Sequence, residues 1–255
     1  MRNELTNNQW NRLESFFPDR TGERGRPAKN NRMIINAILW ILRTGAPWRD
    51  LPHRYGSWKT VYTRFSRWSK SGVWNEIFTH ISKNSNCEYN MIDSTVIKVH
   101  QHASGARGGH VFQAIGRSSG GLTTKIHLLA DGNGLPLRID FTEGKTHDSV
   151  PAIDLLKNLI AKCLLADKAY DFYKIVDVIE SQGIECVIPS RKTNLIKRNY
   201  DKDKYKKRNI IERFFSKIKH FRRIATRYEK LVNNYKSVVL IGFIMVWIRF
   251  KDIIK

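Results

Sequence analysis

From Tyr89 to Val99 the chain reads Tyr89-Asn90-Met91-Ile92-Asp93-Ser94-Thr95-Val96-Ile97-Lys98-Val99, and this stretch decides the fold. It is rich in β-forming residues, which predicts a strand. Before it, apolar residues recur at helical spacing; after it, strand and helix patterns alternate. Asp93 sits in the middle of the apolar run, where an unpaired charge is costly and needs a reason.

Upstream, Trp10, Leu13, Phe16 and Phe17 predict a helix over 6–17 that Pro18 stops. Met33, Ile34, Ala37, Ile38, Ile41 and Leu42 predict a second, ended by Gly45 and Pro47, and Trp58, Val61, Tyr62, Phe65 and Trp68 a third. A short fourth helix is expected over 73–81, and the basic loop Gly22-Glu23-Arg24-Gly25-Arg26-Pro27 separates the first two. Through Lys83 this head carries 15 Lys or Arg against 6 acidic residues. Residues 1–82 therefore read as an all-helical, helix-turn-helix-like DNA-binding domain, with Arg64 and Arg67 on the third helix as DNA contacts. An ordinary helical domain with solvated charges is the competing reading.

Downstream, a Gly-rich stretch over 103–121 leads into strands over 123–130 and 135–141, joined by the hairpin signal Asp131-Gly132-Asn133-Gly134. Helix 150–161, strand 163–166, helix 171–181 and strand 184–189 follow, then helices over 205–223 and 230–251. The order βββαβαβα describes a mixed α/β sheet, the topology of a ribonuclease H-like core, over 87–255.

The 255 residues include 45 Lys plus Arg against 23 Asp plus Glu, a net charge of +22. Such a surplus favours a polyanionic partner, because neutralising phosphates releases condensed counterions. Cys87, Cys163 and Cys186 are odd in number and without C-x-x-C spacing, which points away from disulfides and zinc and toward a reducing, cytoplasmic setting. No apolar signal segment opens the sequence, and the longest apolar run, 238–248, is too short to cross a bilayer and contains Gly242. It reads as a buried helix.

Three carboxylates fall where a metal-dependent phosphoryl-transfer site needs hard oxygen ligands from separate elements: Asp93 mid-strand, Asp167 just past the strand over 163–166, and Glu212 on the helix over 205–223. For each, a bland alternative stays open: an exposed sheet edge for Asp93, a helix N-cap for Asp167, an i,i+4 pair with Arg208 for Glu212. On one continuous helix Tyr205, Arg208, Glu212 and Lys219 would lie within an arc of roughly 60° over about 21 Å. Ile210, Ile211, Phe214, Phe215, Ile218 and Phe221 would point largely the other way. The stretch 191–230 holds 16 Lys or Arg against 4 acids, with aromatics between them. Arg213, Arg222 and Arg223 in it are read as further DNA contacts.

These spacings resemble a known family. Tyr205-x2-Arg208-x3-Glu212-x6-Lys219 matches the Y-R-E-K signature of DDE transposases from bacterial insertion sequences. Met91-Ile92-Asp93-Ser94-Thr95, Ala166-Asp167-Lys168-Ala169-Tyr170-Asp171 and, in the head, Gly45-Ala46-Pro47-Trp48-Arg49-Asp50-Leu51-Pro52 look like its IS-five branch. The resemblance implies a ribonuclease H-like transposase that binds terminal inverted repeats in double-stranded DNA, cleaves the ends and joins the 3′ ends to target DNA. It implies that Asp93, Asp167 and Glu212 are catalytic ligands of Mg²⁺, with Mn²⁺ as a substitute. Tyr205, Arg208 and Lys219 would hold the DNA backbone near the cut end; a nucleophilic Tyr205 is the competing role. A homodimer in the synaptic complex and a place at the bacterial nucleoid, with no membrane, complete the expectation. The rivals are a plain nuclease on the same fold and a repressor that binds the repeats without catalysis.

Overall fold

A computed structural model describes residues 4–17, 30–83, 88–194 and 197–253. Pro18, the loop 22–27 and Cys87 lie outside the described residues. Helix α1 (Asn7–Asn11) opens on a capping box in which Thr6 and Gln9 each accept the other's backbone N–H, at 3.2 Å. It then tightens into a 3₁₀ turn at Glu14–Phe16, so the helix expected over 6–17 is two short pieces. Helix α2 (Asn31–Thr44) buries Ile34, Ile38 and Ile41 and ends at Gly45, whose φ of 72° admits glycine freely. Helices α3 (Trp58–Ser71) and α4 (Val73–Ser82) are divided by Gly72 at φ 81°. No non-glycine residue fits that break without strain.

Strand β1 (Tyr89–Val99) has the predicted bounds and lies inside the sheet. After it come helix α5 (Gly109–Phe112) and strands β2 (Gly116–Ser118), β3 (Gly121–Asp131) and β4 (Pro136–Glu143). Helix α6 (Ser149–Leu156), strand β5 (Cys163–Leu165), helix α7 (Tyr173–Glu180) and strand β6 (Glu185–Val187) follow. The last segments are α8 (Lys202–Lys206), α9 (Asn209–Ile218), α10 (Arg222–Ala225), β7 (Thr226–Arg227) and α11 (Val232–Ile253). Strands β3 and β4 run antiparallel on one side of β1, and β5 and β6 parallel on the other. This is the ribonuclease H-like arrangement, with β2 an extra short pair on β3.

The sheet is covered on both faces. Ile92, Leu129 and Leu164 pack with α6 and α7 on one face, while Met91 and Ile97 face α9 and α11 on the other. Helix α11 is apolar nearly all round and buried from Val238 to Met245, and it packs on α2, α3 and α4 as well as on β4. The helical head and the sheet thus share one core. Among the described residues no helix is long and apolar enough to cross a membrane.

Two expected helices are shortened. The one expected over 150–161 ends at Leu156, where Arg138 of β4 donates to the carbonyls of Leu155, Lys157 and Asn158. A side chain from a neighbouring strand satisfies the carbonyls that a further turn would have used. The helix expected over 205–223 is three pieces. Between α8 and α9 the N–H groups of Arg208, Ile210 and Ile211 bond three residues back, to Tyr205, Lys207 and Arg208. Phe221 is extended, at ψ 96°, before α10.

Candidate active site

Asp93 and Asp167 are placed by strand register. Met91 on β1 pairs with Leu165 on parallel β5, and each carboxylate lies two residues further on, so both belong to the sheet face that α9 covers. Asp93 is not at an exposed edge: it pairs with Leu128 of β3, β5 joins the other side of β1 up to Met91, and the Asp93 side chain is 18% exposed. Asp167 caps a 3₁₀ turn, Lys168–Tyr170, by accepting the Ala169 N–H at 2.8 Å. The capping role named as its alternative is therefore real. It occupies one carboxylate oxygen.

Arg208 stands where the helix breaks and joins the other acids. Its Nη1 donates to Asp93 Oδ2 at 3.0 Å, and its Nη2 donates to Glu212 Oε1. The i,i+4 pair exists, but it is one half of a clamp between a strand and a helix 115 residues apart. Burial is the largest influence on Asp93 and pushes its carboxyl up to about 6; Arg208 and the Ser94 N–H work against it, while the charges of Asp167 and Glu212 add to the rise. Burial would lower the Arg208 pKa, yet Asp93 and Glu212 hold it above its ordinary value. The charges of Asp167 and Glu212 thus both reach Asp93.

The continuous helical face does not survive. Tyr205 is on α8, Arg208 on the tightened turn, Glu212 in the first turn of α9, and Lys219 at its C-cap. Tyr205 keeps its place by packing on the Tyr200 ring (5.5 Å) and under the Arg208 guanidinium (5.8 Å). Lys219 is exposed. Arg213 and Arg222 are not gathered with the carboxylates; they line a groove on another flank of α9.

Arg223 corrects the expectation of a DNA contact. It is 6% exposed, pairs with Glu229 at 2.7 Å and donates to the carbonyls of Ala46 and Gly45, holding α10 against the end of α2. Arg227 is fully buried, donating to Thr124 Oγ1 and to the carbonyls of Gln113 and Glu229. Arg64 donates to Asn31 and lies over the Trp68 ring, whereas Arg67 is exposed; both are on α3, apart from the carboxylates.

A polar network on the other face of β1 was not legible in the sequence. Ser94 donates to Asp148 at 2.7 Å, and Asp148 pairs with Lys125 of β3 at 3.1 Å. It fixes the backbone next to Asp93. Alternation along the strand was the one available signal, since Ser94 must face opposite to Asp93.

The donor set is one that divalent ions prefer, hard carboxylate oxygens from three elements. Among the described residues no three His, Cys, Asp or Glu side chains already stand at ligand distance. In this structure Asp93 and Glu212 are bridged through two nitrogens of the Arg208 guanidinium.

Known proteins resemble this chain over most of its length. A family described as "Putative transposase of IS4/5 family" matches residues 5–78, and one described as "Transposase DDE domain" matches residues 90–248. An uncharacterized protein, y4sN, of Sinorhizobium fredii is 44% identical over 104 residues, which are 40% of this chain and 82% of that protein. A putative transposase for insertion sequence element IS6501 of Brucella ovis is 37% identical over 130 residues, half of this chain and all of that one. A solved piggyBac transposase synaptic complex with hairpin DNA superposes with a TM-score of 0.55 at 9% identity, covering 96% of this chain and 71% of that one. It supports the fold.

Proposed function

The chain belongs to the DDE transposases, enzymes that cut and join DNA with divalent metal ions, and from that premise we propose that Asp93, Asp167 and Glu212 are its catalytic carboxylates. The observation that carries this is the Arg208 clamp. It draws Asp93 of a central strand and Glu212 of a helix to one guanidinium, with Asp167 on the adjoining strand close enough to raise the Asp93 pKa. Mg²⁺ is the proposed ion, with Mn²⁺ as a substitute, because both take carboxylate and water oxygens.

Two bound ions would supply an activated oxygen nucleophile and charge for the leaving oxygen of an in-line displacement. The residues of the chain do the rest. Asp93 and Asp167 offer their oxygens from a rigid sheet, while exposed Glu212 approaches from α9. When an incoming phosphate competes for Arg208, its guanidinium passes from carboxylate to phosphate, a change between two charge-assisted partners. Asp93 and Glu212 are then freed as ligands just as DNA arrives. Tyr205, stacked beside Arg208, orients it, and Lys219 meets the backbone about 10 Å beyond Glu212 along α9. Tyr205 is assigned a positioning role, not that of a covalent nucleophile.

In this reading residues 1–82 recognise the terminal inverted repeats through α3, with Arg67 outward, and residues 87–255 perform the chemistry. Two DNA ends held together call for two copies, so the working form is a homodimer. Incubation with paired terminal repeats and Mg²⁺ tests the assignment: wild type cleaves and joins, and Asp93→Asn binds without cleaving. Cleavage by Asp93→Asn at the wild-type rate would sink it. Cleavage by wild type without any joining would favour the plain nuclease.

A further inference from the structure

Helix α9 has a second functional margin. Lys217 lies five residues beyond Glu212, about 140° round the helix axis and ~7.5 Å along it. There a groove of about 780 Å³ opens between α9, the end of α2, the β3–β4 turn and the last turns of α11. Arg43, Arg213, Lys217, Arg222 and Arg249 line it together with His220, and no Asp or Glu is among its described lining residues. The half-buried Phe250 is the aromatic ring that its floor offers, beside the margins of the buried Phe214 and Phe221, and Arg43 lies over the Phe221 ring at 5.7 Å.

The two chemistries together select the occupant. A uniformly cationic rim matches phosphates, but rigid duplex DNA keeps its base faces stacked inside and would leave the Phe250 ring and the apolar floor unused. Unpaired nucleotides bring phosphates and free π-faces at once, the pairing that cationic, aromatic-floored channels for single strands exploit. Arg213 lies between the catalytic margin of α9 and the groove, so cations continue from one to the other. We infer that the groove binds a short single strand of DNA that leaves the duplex at the catalytic carboxylates and crosses α9. This rests on the assignment of those carboxylates.

Fluorescence anisotropy in EDTA tests it, with a random-sequence duplex that is blunt or carries an oligothymidylate tail of about six nucleotides. The tail is expected to tighten binding by wild type about tenfold. Lys217→Gln combined with Arg249→Gln removes that gain and leaves blunt-duplex affinity within about threefold; both side chains are exposed, and thermal melting verifies the fold. Phe250→Leu removes part of the gain without touching charge. Asp93→Asn keeps the full tail preference, which separates failure of the groove from failure of the carboxylate assignment. A tail that gives no advantage, a double variant that weakens blunt and tailed DNA equally, or competition by polyglutamate as effective as by the tail would overturn the inference.

Discussion

His127 of β3 is fully buried, with Nε2 2.8 Å from Thr142 Oγ1 and Nδ1 without a hydrogen-bond partner. Its pKa is pushed down from 6.5 to about 4. Burial is the main cause; the Asp148 carboxylate at 3.7 Å opposes it, and Lys125 adds to it. The carboxylate, which Lys125 also contacts at 3.1 Å, offsets burial only in part. The folded state therefore resists a proton that the unfolded chain accepts. Stability from this group is complete above pH 6.5 and is lost as pH falls through the window from 6.5 to about 4. At pH 5 the loss spans 1.5 pH units at 1.36 kcal/mol each, about 2 kcal/mol. The perturbation is His127→Gln, which removes the titration. Urea unfolding of wild type and variant at pH 8 and pH 5 supplies the measurement, and the cost of replacing the ring cancels in the double difference. Wild type should lose about 2 kcal/mol more than the variant on acidification. Equal losses, or a larger loss in the variant, would refute the reasoning.

Other consequences are as direct. Arg208→Met leaves Asp93 and Glu212 facing each other without their cation; because Asp93 already titrates at about 6 and Glu212 is half exposed, metal-free protein should lose about 1–2 kcal/mol in urea unfolding at pH 7, and millimolar Mg²⁺ should restore more stability to the variant than to wild type. Arg223→Met should cost about 3–5 kcal/mol by stranding the buried Glu229, while the folded variant binds duplex DNA with wild-type affinity; weakened binding at unchanged stability would make it a DNA contact after all. Gly45→Ala meets both a φ of 72° and Arg222 Cβ at 3.0 Å, so a loss of about 1–2 kcal/mol is expected in thermal or chemical unfolding. Lys219→Ala should weaken DNA binding similarly for all sequences and reduce the salt slope of log K by about 0.9. An unchanged slope would remove Lys219 from the DNA face.

The elements legible in the sequence are those whose own residues specify them. Met33 to Leu42 repeat at helical spacing up to a glycine that the backbone requires, and β1 declares itself by composition, so α2 and β1 fall where the pattern puts them. Where a distant side chain decides, local pattern fails. The apolar period runs unbroken through Ile210, Ile211, Phe214 and Phe215, yet the helix tightens at Arg208, where the guanidinium engages Asp93. Likewise Arg138 ends α6 from a strand. Arg223 reads as one more cation in a basic stretch because its partners, Glu229 and two carbonyls near residue 45, are recognisable only in three dimensions. Strands β2 and β7 are too short, at three and two residues, for alternation to register. The acids of the site were visible as types in an order; the arginine that unites two of them was visible only as part of a signature.

Helix α11 has a consequence for synthesis. It begins at Val232 and packs on α2, α3 and α4, the last of which ends at Ser82. The head is translated early, but the surface that completes its core leaves the ribosome some 150 residues later, about 8–30 s at ordinary elongation rates. Until then α2 to α4 expose the apolar side chains that α11 will cover. A chain lacking α11 therefore leaves the core shared by the helical head and the sheet incomplete on both sides.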